Sequence, residues 1–188
     1  MSRHVAGFAV VAMCACSSSA GGPSPDVSSV PVTNRITTST GGAITIGGTA
    51  TAVGIPGEIA AAPEAVFQAL TAVYADLAIP ATEVTPKDRA IGNLSFKVRR
   101  RIGGVPMQKY FACGGNGGQP NAETFNMVIT INSYVTAGRD GGSVVTTRIQ
   151  AIASDPAHGD SNQLRCTSEG ELELRIAQMT RERLGVRK

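Results

Sequence analysis

Residues 63–79, PEAVFQALTAVYADLAI, constrain the fold more than any other part of the chain. Val66, Phe67, Leu70, Val73, Tyr74 and Leu77 recur at the spacing that gathers side chains along one side of an α-helix. Pro63 suits the first helical turn, where its missing N–H loses no bond. Glu64 sits beside it, at the positive end of the helix dipole. Pro80 cannot continue the helix and stops it. Burying these side chains is worth on the order of 10 kcal/mol gross, before conformational entropy is set against it. A helix with so broad an apolar face needs a sheet to cover.

The flanking segments supply that sheet. Residues 35–40 and 43–46 alternate as strands do, with Gly41-Gly42 as a turn between them, and 49–53 reads as a third short strand before a turn at 54–57. After Pro80, residues 81–84 form a short strand. Residues 93–102 predict a longer one, with Leu94, Phe96, Val98 and Ile102 on one face and Ser95, Lys97, Arg99 and Arg101 on the other. Gly103-Gly104 turns it into a partner over 105–113, and residues 114–118, GGNGG, form a loop. The clearest alternation is in 125–136, where Phe125, Met127, Ile129, Ile131 and Val135 share a face. A glycine-rich turn at 138–142 returns the chain with Val145, Thr147, Ile149 and Ala151 inward, so the two runs predict an antiparallel hairpin. Residues 168–171 have capping-box spacing. The helix they open runs to about residue 184, buries Leu172, Ile176 and Met179, and ends at Gly185. The expected fold is α+β: an antiparallel sheet with two helices packed on one face.

With 188 residues and 42% hydrophobic content, the chain supports one core plus extensions. Its formal charge of +3 is small and aromatics are only 4%, which argues against nucleic acid as a partner. Four cysteines fall into two pairs: Cys14 and Cys16 near the start, Cys113 and Cys166 in the body. In an exported domain the second pair reads first as a disulfide, with two buried free thiols as the alternative. One histidine, His158, follows the first few residues, and no closely spaced ligand pair accompanies it, so no metal site is expected.

Residues 1–16, MSRHVAGFAVVAMCAC, join a short basic start to an apolar run too short to span a membrane. Ala15, Cys16 and the following SSSAGG tract resemble the signal peptide of bacterial lipoproteins. Met13 stands where that family usually carries a branched aliphatic residue. The resemblance implies lipidation of Cys16 as the mature N-terminus and anchoring on the periplasmic side of a membrane. Cleavage after Ala20, giving a soluble periplasmic or secreted protein, is the competing reading. The expected organisation is a signal peptide over 1–15, a flexible tether over 16–33, and one α+β domain over 34–185. The order strands–helix–strands–helix resembles helix-grip-like and barrel-assembly lipoprotein domains in element order alone.

No pattern calls for catalysis or a cofactor. Residues 114–118 lack the Lys-Ser/Thr of a phosphate-binding loop, and no nucleophile elbow, zinc-protease motif or paired Cys-x-x-Cys is present. His158 stands beside Asp155 and Asp160 in a polar loop. Lys97, Arg99 and Arg101 are the one basic stripe, suited either to an anionic lipid surface or to the solvated face of an edge strand. The functional expectation is a non-enzymatic lipoprotein that binds an envelope protein or anionic lipid. The alternative is a carrier holding a lipid or apolar small molecule between sheet and C-terminal helix.

Overall fold

A computed structural model describes residues 27–37, 43–158 and 163–186. The leader, Cys16, the Gly41-Gly42 turn and Asp160 lie outside the described residues. In chain order the elements are β1 (Val27–Thr37), β2 (Ala43–Val53), β3 (Ile55–Ile59), α1 (Pro63–Asp76), β4 (Glu83–Thr85), β5 (Ala90–Val98), β6 (Arg101–Ile102), β7 (Val105–Pro106), β8 (Phe111–Ala112), β9 (Gly115–Asn116), β10 (Gln119–Pro120), α2 (Asn121–Thr124), β11 (Asn126–Ala137), β12 (Ser143–Ser154), β13 (Gln163–Ser168) and α3 (Glu171–Leu184). The main sheet is antiparallel, in the order β4-β5-β11-β12-β13-β8, and β3 shares the β13 side of β12. The fold is α+β, as the hydrophobic pattern predicts.

The centre is the β11–β12 hairpin, paired in unbroken register from Asn126↔Ser154 to Ala137↔Ser143. Met127, Ile129, Ile131 and Val135 of β11 meet Val145, Ile149, Ala151 and Ala153 of β12 in one core with the helices. All six expected anchors of α1 are buried in it. Tyr74 carries a hydroxyl into this core, 2.9 Å from Ser133 Oγ, which lies 2.7 Å from Thr147 Oγ1. That chain satisfies polar atoms at the α1–β11–β12 junction, and burial pushes the Tyr74 phenol pKa up. The helix ends before Pro80 reaches it. Ala78 adopts φ 55°, and the N–H groups of Ala78 and Ile79 bond back to Ala75 and Tyr74 carbonyls, closing a Schellman turn.

Several sequence expectations shift. β1 begins at Val27, inside the stretch expected as tether, and pairs along its whole length with β2. β2 is continuous from Ala43 to Val53 rather than two strands. The turn expected over 54–57 is instead largely strand: residues 55–59 pair with β12 as β3. Gly57 is required there because a Cβ would sit 2.5 Å from Ala177 Cβ of α3. The predicted strand over 105–113 breaks into β7, a 3-10 turn and β8. The 114–118 loop holds β9 and the turn of the β9–β10 hairpin, made by Gly117 and Gly118 at φ 58° and 81°.

The predicted strand over 93–102 is the largest correction. Ile129 faces Phe96 but Ile131 faces Asn93, so Leu94 and Ser95 together oppose one residue in a β-bulge. Asn93 holds it: its side-chain amide donates to Pro80 O at 2.7 Å, and its Oδ1 accepts from Ser95 N–H at 2.9 Å. Thr130 Oγ1 donates to the Leu94 carbonyl at 2.8 Å. The bulge buries Asn93 and leaves Leu94 55% exposed, reversing the face that simple alternation assigns it. The strand then ends at Val98, and Arg100 takes φ 69° before β6 begins. Ile102 pairs with Val105 across Gly103-Gly104, as expected.

Candidate functional site

Two regions hold the sequence-predicted residues. The first is the corner where β8, β13 and the start of α3 meet. Ala112 pairs with Thr167 and Phe111 with Ser168, so the ladder brings Cys113 opposite Cys166. Their Cα atoms are 4.3 Å apart and the disulfide is formed. Ser168 does not form the expected capping box with Glu171. Gly170 occupies the N-cap at φ 83°, and Ser168 Oγ lies 2.8 and 3.0 Å from the two carboxylate oxygens of Glu173. Glu173 is buried, and that burial raises its pKa, an effect opposed by the Ser168 bond and its own backbone N–H. The groove beside this corner, of about 960 Å³, runs along α3 and includes Lys109, Arg175 and Leu174. Arg175 donates to Tyr110 Oη and, at 2.9 Å, to the Gly103 carbonyl, so this cation holds the hairpin rather than standing open.

The second region is the sheet face turned away from α1 and α3. Lys97, Arg99 and Arg101 do not share a strand face as predicted. Lys97 is exposed on β5, but Arg99 donates to Thr124 O at 3.4 Å and Arg101 to Gly104 O at 3.2 Å. Strand register gives Lys97 other companions. Lys97 pairs with Val128, Val128 with Ile152, and Ile152 with Arg165, one row across four strands. Inward neighbours Ala151, Ala153 and Met127 are buried, which turns Val128, Ile152 and Arg165 outward. Farther along the same face Arg148 lies over the Tyr134 ring, 5.5 Å from its centroid. No acidic residue occurs in β5, β11, β12 or β13.

Comparison with family models, curated proteins and solved structures finds no match. The arrangement of side chains therefore carries the functional argument by itself.

His158 Nδ1 lies 2.8 Å from Asp155 Oδ2 in an exposed turn. The Ala157 N–H first, and His158 second, hold the Asp155 carboxyl below its ordinary pKa. The pair closes the turn that begins at Asp155. Among the described residues no group of three His, Cys, Asp or Glu is placed to hold a metal ion, and no helix is long and apolar enough to cross a membrane. Arg148, Arg165 and Glu173 were missed from sequence. The first two join Lys97 only through register. Glu173 carries a signal in sequence, being a third charged residue at the start of a helix whose neighbours Leu172 and Ile176 face inward.

Proposed function

We propose that the chain is an exported, non-enzymatic binding module, anchored on the periplasmic side of a bacterial membrane through lipid on Cys16. The Cys113–Cys166 disulfide carries this reading. Such a bond persists in an oxidising compartment and is rare in the cytosol. The apolar leader and the Ala15-Cys16 junction support the anchor. The succession of β3, α1, the sheet and α3 supports a likeness to helix-grip-like or barrel-assembly lipoprotein domains.

Packing under α3 favours a binding surface over an internal carrier site. Leu172, Ile176, Ala177 and Thr180 are buried against the sheet, and α3 approaches β3 so closely that only glycine fits at residue 57. A lipid held between sheet and helix needs the space these side chains occupy.

Mass spectrometry of the mature N-terminus tests the anchor. An acylated Cys16 is the expected result, and a free N-terminus at Gly21 overturns it. Cys16→Ser should move the protein to the soluble periplasmic fraction, because stable anchoring depends on the acyl chains. In the native exported protein, Cys113 and Cys166 should take up a thiol reagent only after reduction. Labelling without reductant would remove the main support for export.

A further inference from the structure

We infer that the outer sheet face, along the row Lys97, Val128, Ile152 and Arg165, is a docking surface for an anionic lipid bilayer. This rests on the binding-module reading and names the partner of that module. Along the row itself the charge is of one sign: Lys97 and Arg165 end it, and its four strands contribute no acid, while Glu83 of β4 and Glu58 of β3 stand on the same face outside the row, Glu83 in register with Arg148. Such a surface complements phosphate-bearing headgroups.

The spacing selects a surface rather than a small anion. Lys97 and Arg165 are separated by three inter-strand steps, about 14 Å. A row of this length matches neighbouring headgroups in a bilayer, one to each cation, with both side chains extended outward rather than drawn together. Val128 and Ile152, both partly exposed, occupy the positions between the cations. They offer apolar contact to the headgroup–acyl boundary while the two charges stay among the phosphates. Arg99 and Arg101, equally cationic, lie past the end of β5, outside this row, and donate to the Thr124 and Gly104 carbonyls. The ten residues between Cys16 and β1 span at most about 35 Å, so a lipid-anchored domain stays within reach of the bilayer. The sheet face then acts as a second, weaker attachment that sets the orientation of the domain.

The test uses the full chain carrying Cys16→Ser, so that acylation does not mask the face. Its binding is measured on vesicles of equal parts phosphatidylcholine and phosphatidylglycerol, and on pure phosphatidylcholine. The parent should prefer the anionic vesicles. Lys97→Gln with Arg165→Gln should weaken that binding by about fivefold per cation at low salt, and the difference should shrink as salt rises. Arg99→Gln with Arg101→Gln removes the same charge and should cost less. Melting temperatures should match the parent in both variants, since none of these side chains lies in the core.

Equal binding by the Lys97/Arg165 variant and the parent at low salt would overturn the proposal. So would equal losses from the two variant pairs, equal parental binding to neutral vesicles, or soluble polyphosphate binding more tightly per charge than the anionic vesicles. Failure of the exported reading shows instead in the N-terminal mass and the fractionation, which this vesicle measurement does not touch.

Discussion

Strands β11 and β5 lie side by side in the sheet and place their side chains by different rules. β11 alternates without interruption over 12 residues because β12 pairs with it position for position. β5 changes face part-way, at the bulge opposite Thr130. Both strands are rich in aliphatic residues at alternate positions, so composition does not separate them. Asn93 does. Its short amide reaches the Pro80 carbonyl on one side and the Ser95 N–H on the other. A polar side chain that bonds the backbone locally competes with the regular ladder, and here it wins. The lesson is that alternation assigns faces only as far as the pairing is unbroken.

This contrast can be tested by substitution, and the largest effect belongs to β11. Ile131 is fully buried opposite Ile149, so Ile131→Ala should destabilise by about 2–5 kcal/mol in denaturant unfolding. A cost below that of a surface substitution would mean that the hairpin is not the centre of the core. Asn93→Ala removes both bonds that hold the bulge and should cost about 1–3 kcal/mol. A neutral result would show that the bulge is set by the β11 partner alone. Leu94→Ala should change stability by no more than about 0.5 kcal/mol, because the side chain stands out in solvent. A loss as large as that of Ile131→Ala would restore Leu94 to the core and remove the bulge.

Local patterns were legible where the determining contacts are close in sequence. The apolar side of α1, the β11–β12 hairpin, and the Gly185 stop of α3 all follow from spacing within a few residues. The Cys113–Cys166 pairing was legible too, since an exported reading leaves these two cysteines for each other. What escaped depends on distant partners. β3 looks like a turn because of Pro56 and Gly57, yet Gly57 answers the approach of Ala177, far along the chain. The bulge depends on the Pro80 carbonyl. Arg165 and Lys97 lie on one row only after three strand registers are set, and no local window contains that information. The basic run at 97–101 groups Lys97 with Arg99 and Arg101 in sequence, but the positive φ of Arg100 scatters the two arginines.

The buried Glu173 contributes to stability with an inverted dependence on acid. Its folded-state pKa stands above the unfolded value because burial penalises the carboxylate more than Ser168 and the helix N–H favour it. Folding therefore takes up protons at this site. The stability it contributes is complete below the unfolded carboxylate pKa and drains away as pH rises through the folded value, the reverse of a salt-bridged carboxylate. Glu173→Gln, which keeps a neutral amide beside Ser168, should flatten the decline of melting temperature on the way up to neutral pH. An unchanged slope would assign that decline to other groups. With the glutamate in place, mild acidification favours the contact between the first turn of α3 and Ser168, at the end of the strand that carries Cys166.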